Sequence, residues 1–280
     1  MRPSRKPRRV PKSGKARWVA LILLGGAVFV ALVGGLAAFA FYIQVDRALP
    51  STQSLKGYHP ALVSSIYAAD GSLRGEFYTE RRYIVPLSDL PPYLIKAFLA
   101  AEDARFYEHG GVDLLGVIRA FLKNIQAGEI VQGGSTITQQ VVKSLLLTPE
   151  RTWIRKLKEA ILAYRIDRSL SKDEILYLYL NQIYFGSGAY GVEAAARTYF
   201  DKHARDLTMG ESAQLAGLPK APSRFSPFHN LAAAQERKRY VLQRMVDGGF
   251  ISESDAQKAA QEKLQFVRPK AWTLKDLDYF

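Results

Sequence analysis

A chain of 280 residues with 48% hydrophobic content can bury a real core as one large domain or two small ones, which excludes a disordered chain. Zero cysteines exclude disulfides and thiolate metal sites. The formal charge of +13 is uneven: Met1–Arg17 holds eight basic residues and no acidic one, leaving +5 for everything after it.

From Trp18 to Val45, 28 residues carry no charge, against the roughly 20 that cross a bilayer as a helix. The run is predicted to be a transmembrane helix. Its basic flank, residues 1–17, stays cytoplasmic by the positive-inside rule, with Trp18 and Tyr42 as interfacial anchors, and the rest of the chain is then extracytoplasmic. A cleaved signal peptide is the rival reading, with Ala38-Phe39-Ala40 as its small-x-small site, but the apolar run exceeds the roughly 7–15 residues of a signal core. Basic residues beside a membrane span point to anionic lipid and not to nucleic acid.

Residues 46–60 read as a polar tether. Leu62–Ala68 and Leu73–Tyr78, joined by Ala69-Asp70-Gly71-Ser72, read as a β-hairpin, because Asp-Gly accepts the positive φ of such turns. It is the only sheet expected. From Pro91 onwards the pattern is helical. Asp113 is predicted to cap a helix that ends at Ala127 before Gly128; Thr136 with Gln139, Ser171 with Glu174 and Thr208 with Glu211 form capping pairs; and a helix from Leu231 to Asp247 stops at Gly248-Gly249. The broad apolar face of Leu114, Leu115, Val117, Ile118, Phe121, Leu122 and Ile125 is expected to be core, the alternative being a face that enters the lipid surface. Lys123–Gly134 reads as a mobile loop.

The chemistry starts at Glu102. In a helix opened by Pro91-Pro92, Ile95, Phe98, Leu99 and Glu102 share one face, with Phe106 a turn further on if the helix persists. A carboxylate among apolar neighbours resists ionisation, which tunes it as a base at neutral pH. The plainer reading is a helix-end Glu that is solvated or paired with Arg105. Gly133–Lys143 is a Gly-rich turn entering a helix rich in hydroxyls and amides, fit for an anionic or sugar ligand. It is not a nucleotide P-loop, because Lys143 falls nine residues after the second Gly. Between Lys143 and Arg168 lie seven basic and three acidic residues, which suits a phosphate-bearing substrate; a solvated helix face with an Arg155–Glu159 pair would look similar.

The strings EDARFYEHGGVD, GGSTITQQVVK, RKLKE, KDEILYLYLNQIYFGSGAYGVEAAARTYF and LTMGESAQLAGLPKAPSRFSP resemble, in order, the signature motifs of the peptidoglycan glycosyltransferases of family 51, found in class A penicillin-binding proteins and monofunctional transglycosylases. The resemblance covers roughly Tyr58–Leu264. It implies a mainly α, lysozyme-like helical domain over residues 61–265, with the small β-hairpin, behind one transmembrane helix in the bacterial cell membrane. Its implied reaction is polymerisation of lipid II into glycan strands with release of undecaprenyl pyrophosphate. Glu102 matches the catalytic base that deprotonates the acceptor's GlcNAc 4-hydroxyl as it attacks C1 of the donor's MurNAc. Glu159 matches the second catalytic Glu, beside a pyrophosphate held by Lys143, Arg151, Arg155 and Lys156. Asp103, Phe106, His109, Ser135, Thr136, Gln139, Gln140 and Asn181 match positions that line or brace the cleft. His109 also reads as a residue that positions the Glu102 loop, Asn181 as a helix brace, and Tyr184, Phe185, Tyr190, Tyr199 and Phe200 as core. At Leu147 some relatives carry a further basic residue that this chain lacks. The resemblance implies no required cofactor; relatives often work with a divalent cation, Mg2+ or Mn2+, for which nothing here resembles a dedicated site. Implied partners are lipid II, the growing glycan strand, membrane lipid and cell-wall synthesis proteins, with no nucleic acid.

Class A members continue into a transpeptidase with a Ser-x-x-Lys nucleophile. Ser169-Leu170-Ser171-Lys172 matches that string, but its companion strings are absent and it reads as coincidence. Residues 266–280 resemble a lead-in to such a domain, so the chain is expected to be a truncation. The rival functions are a lytic transglycosylase or lysozyme-like hydrolase, which also uses a helix-borne Glu, and a non-catalytic scaffold.

Overall fold

In the computed structural model, residues 14–55, 60, 62–128, 133–148, 150 and 152–268 are described. The chain divides into two compact units, one ending at Pro50 and the other starting at Ser51. The first unit is built on helix α1, Gly14–Arg47. Its stretch Leu21–Arg47, with a mean hydropathy of 2.5, is long and apolar enough to cross a membrane, and its most apolar window has no buried share. The helix runs a little beyond the uncharged Trp18–Val45, because a helix continues into flanking polar residues where its backbone bonds still close.

The second unit begins with a hairpin of β1 (Ser64–Tyr67) and β2 (Leu73–Phe77), with Gly71 at φ +80° in its turn. A second sheet, not expected from sequence, joins β3 (Arg81–Arg82), β4 (Tyr184–Gly186) and β5 (Ala189–Tyr190) in the order β3-β5-β4, with β3 and β5 parallel.

The rest is helical: α2 (Pro92–Glu102), α3 (Leu114–Ala127), α4 (Ile137–Leu145), α5 (Trp153–Ser169), α6 (Lys172–Gln182), α7 (Val192–Phe200), α8 (Met209–Gly217), α9 (Pro222–Phe225), α10 (Leu231–Asp247) and α11 (Glu253–Gln261). The mainly α class expected from sequence holds. Local chemistry sets the ends: Asp113 accepts from the Gly116 N–H, and Thr136/Gln139, Ser171/Glu174 and Thr208/Glu211 each form both bonds of a capping box.

Helix α2 packs against α8 and α10, and α4 against α5 and α6. Phe98, fully buried at the middle of α2, meets Tyr179 and Phe185 edge-on, with ring centroids 6.2 and 5.7 Å apart. Burying such a side chain stabilises the fold by about 1.5–3 kcal/mol. The buried face of α2 is Leu94, Ala97, Phe98 and Leu99, while Ile95 is only half-buried. The helix ends at Glu102 and does not persist to Phe106, which reaches the core from the following turn.

Three expectations are corrected. The apolar face of α3 is not core: Leu114 is 71% and Phe121 63% exposed, and Ala120 is the one buried residue of the helix. Its periodicity is real, but among the described residues no element covers it. Of the aromatic set expected in the core, Phe185, Tyr199 and Phe200 are buried, whereas Tyr184, on the edge strand β4, is exposed, and Tyr190, its neighbour across the β4–β5 pair, is half-buried. Of the predicted loop Lys123–Gly134, residues 123–127 belong to α3 and 129–132 lie outside the described residues.

Candidate active site

The C-terminal end of α2 delivers Glu102 and Asp103 to the floor of a cleft of about 290 Å³. One wall is the start of α4 with Ser135, Thr136, Gln139, Gln140 and Lys143; a second is α5 with Arg155, Lys156 and Glu159; a third comes from Lys220 and from Arg237, Tyr240 and Arg244 on α10. Eight basic side chains line the cleft against four acidic ones, so its field favours an anion.

Glu102 accepts a hydrogen bond from Gln140 Nε2 at 2.7 Å. Burial pushes its carboxyl above the ordinary range and the negative charge of Asp103 adds to this, while the Gln140 N–H and the positive Arg237 and Lys220 oppose it. Lys220 shifts the other way: burial and the neighbouring Arg237 lower its ammonium, and Glu102 counters them. An acid drawn up and an amine drawn down in one cleft are two groups whose proton affinities approach each other. The solvated or Arg105-paired Glu is not what the structure shows, since Arg105 is bonded to Asp113.

Asp103 holds the floor in place. His109 Nε2 lies 2.9 and 3.0 Å from its two oxygens, and Oδ2 also accepts the N–H of Ile137 at 3.1 Å. Glu159 is 1% exposed and bonds Arg155 and Lys156, each at 2.5 Å. Lys156 also donates to Ser135 Oγ at 2.9 Å. The Arg155–Glu159 pair is therefore a buried counter-ion arrangement, not a solvated helix face, and it ties two cations to one anion with a positive surplus facing the cleft.

Of the residues expected in the site, Glu102, Asp103, Ser135, Thr136, Gln139, Gln140, Lys143, Arg155, Lys156 and Glu159 line one cleft. Three residues expected to line or brace the cleft do not line it. Phe106 is fully buried beneath, His109 stands behind Asp103, and Asn181 is taken up by the backbone of Val85, accepting its N–H at 2.9 Å and donating to its carbonyl at 3.0 Å. Their contacts are with the elements around the cleft. Arg151 lies outside the described residues.

Sequence reasoning missed Lys220, Arg237, Tyr240 and Arg244. The signal was present on α10, where positions 237, 240 and 244 follow the i, i+3, i+7 spacing of one helical face. Among the described residues no group of three or more side chains comes together as a metal site.

The family described as Transglycosylase matches residues 70–246. Penicillin-binding protein 1A of Aquifex aeolicus is 44% identical over 90% of this chain and 34% of its own length. Penicillin-binding protein 1A of Neisseria flavescens is 48% identical over 85% of this chain and 30% of its own length. A 2.6 Å crystal structure of penicillin-binding protein 1A from Haemophilus influenzae superposes with a TM-score of 0.44 and 31% identity, covering 76% of this chain and 22% of that one. The chain spans about a third of the length of the curated relatives it matches. With the family match covering well over half of its residues, the chain belongs to the transglycosylase family.

Proposed function

We propose that the second unit is a peptidoglycan glycosyltransferase that polymerises lipid II, with Glu102 as general base. The observation that carries this reading is a proton-affine carboxyl on the floor of a cleft whose walls carry a surplus of cations. Glu102 takes the proton of the acceptor sugar's 4-hydroxyl as that oxygen attacks C1 of the donor sugar from the face opposite the departing undecaprenyl pyrophosphate. The anomeric centre inverts. Lys143, Arg151, Arg155 and Lys156 meet the charge that grows on the pyrophosphate, which is most useful in the transition state. Glu159 acts through Arg155 and Lys156, holding both at the cleft wall. Lys220, Arg237 and Arg244 bind on the Glu102 side, where the acceptor enters. Relatives often work with Mg2+ or Mn2+, for which the described residues form no donor set.

Helix α1 anchors the chain in the cell membrane with its N-terminus cytoplasmic and the catalytic unit outside. The exposed apolar face of α3, flanked by Arg119 and Lys123, rests in the lipid surface where a lipid-linked substrate is found. The domain boundaries belong to the same proposal: tail 1–17, span 18–45, tether 46–60 and catalytic domain 61–265. A hydrolase of glycan strands would have no use for so many cations, because finished strands carry no pyrophosphate. Purified protein incubated with lipid II and with finished cell wall separates the readings: polymer from lipid II supports this one, and cleavage of finished wall with lipid II untouched overturns it.

A further inference from the structure

The string Ser169-Leu170-Ser171-Lys172 has the spacing of a serine nucleophile and its lysine, yet its two ends point elsewhere. Ser169 Oγ donates to the Arg165 carbonyl of its own helix at 2.8 Å. Lys172 Nζ donates to the carbonyl of His109 at 2.6 Å, pairs with Asp167, and sits 4.7 Å from the centroid of the Phe106 ring. As the first residue of α6, Lys172 places a cation where helix N–H groups already concentrate positive charge, which is unfavourable for the helix. Contacts outside the helix hold it there, and they lie on α5 and on the loop that follows Glu102.

That loop, residues 103–111, is tied at several points to the elements around the cleft. Asp103 holds His109 at its one end and the Ile137 N–H, at the start of α4, at the other. Thr136 Oγ1 donates to the Gly111 carbonyl at 2.6 Å. Gly111 has φ +80°, and a Cβ there would lie 2.4 Å from the Ala163 carbonyl oxygen, so the loop runs flat against α5. One turn into α4, Gln140 grips the Glu102 carboxyl. Glu102 is thus held from its own helix end and from α4. Both holds depend on one short loop, and Lys172 fastens that loop to the junction of α5 and α6.

We propose that Lys172 is a positioning residue for Glu102: by fastening the His109 carbonyl it keeps loop 103–111 in the arrangement in which Asp103, bonded to the Ile137 N–H, holds the start of α4 where Gln140 reaches the Glu102 carboxyl. The proposal rests on the reading of Glu102 as general base. Lys172 does not line the cleft, so it acts through the loop and not on substrate. A charged donor on a carbonyl, backed by Asp167 and an aromatic face, is a stronger tie than a neutral hydrogen bond.

The test compares lipid II turnover by the parent, Lys172→Met, Glu102→Gln and the double variant, with Lys172→Arg as the conservative control and hydrogen exchange read at the Phe106 and Ile137 amides. Lys172→Met is expected to lower kcat by about tenfold or more, as a misplaced catalytic group does, with little change in KM. Both amides are expected to exchange faster, and Lys172→Arg to recover most of kcat. In the Glu102→Gln background the same substitution is expected to cost little more, since no base remains to be misplaced. An equal loss in both backgrounds, a change confined to KM, or unchanged turnover in Lys172→Met overturns the proposal while leaving the base reading intact. Near-parent turnover in Glu102→Gln overturns the base reading and this proposal with it. If Lys172→Met does not fold, Lys172→Ser, which also removes the donor to the His109 carbonyl but sets no apolar side chain beside Asp167, takes its place in the same comparison.

Discussion

Glu102→Gln removes one proton acceptor and changes little else. Gln140 Nε2 lies 2.7 Å from the Glu102 carboxyl, and a Gln side-chain oxygen at that position accepts the same bond, so orientation survives the substitution. What is lost is general-base catalysis, worth about 10²–10⁴-fold, or roughly 2.7–5.5 kcal/mol of barrier. In the proposed reading donor binding rests on Lys143, Arg155 and Lys156 across the cleft and is expected to hold, so the loss is expected in kcat. Stability is expected to move the other way. The folded carboxyl is raised above its unfolded value, so it favours folding at low pH and burdens the fold as pH rises past the unfolded value. Glu102→Gln is therefore expected to raise Tm at neutral pH but not near pH 4. The parent's turnover is expected to fall on the acid side at a pH above the usual glutamate range, as Glu102 takes up its proton. Turnover within a few-fold of the parent in Glu102→Gln, with Tm unchanged, would refute the assignment.

Neutralising Lys143 and Arg151 together is expected to cut lipid II turnover, most strongly at low salt where their charge is least screened, with the fold intact by circular dichroism; wild-type turnover in that double variant would remove them from the pyrophosphate site. Phe98→Ala is expected to destabilise the second unit by about 3–5 kcal/mol in denaturant unfolding, because Tyr179 and Phe185 cannot close the space left between them. Phe121→Glu on α3 is expected to leave Tm within a degree or two of the parent, as for a surface change, while weakening binding of the span-deleted unit to anionic vesicles; a large drop in Tm would mean the face is covered in the protein. Protease added to intact spheroplasts is expected to digest the chain beyond Val45 and spare the tail.

Features set by neighbouring residues were readable in the chain. The capping boxes at Thr136, Ser171 and Thr208 need only residues three apart, and Gly128 and Gly248 close their helices through backbone geometry alone. Glu102 was readable because a carboxylate interrupts an apolar face. Features set by distant partners were not. The pairing of Arg81–Arg82 with Ala189–Tyr190 joins strands of two residues more than a hundred positions apart, too short to show any period. The α3 face was misread because a period of 3.6 reports that one side is apolar and not what lies against it. For Phe106, His109 and Asn181 the motif left lining and bracing open, because it marks residues a site needs, and a brace such as the Asn181–Val85 pair is needed as much as a contact. Arg237 and Arg244 were overlooked because their service to the cleft depends on α10 packing against α2.

The most direct test of the central claim uses the intact chain in detergent or vesicles with lipid II radiolabelled in its sugars. The account predicts label entering glycan polymer as undecaprenyl pyrophosphate is released, with both products lost together in Glu102→Gln. Lipid II left unconsumed by the parent protein, while finished glycan strands are cut, would contradict it.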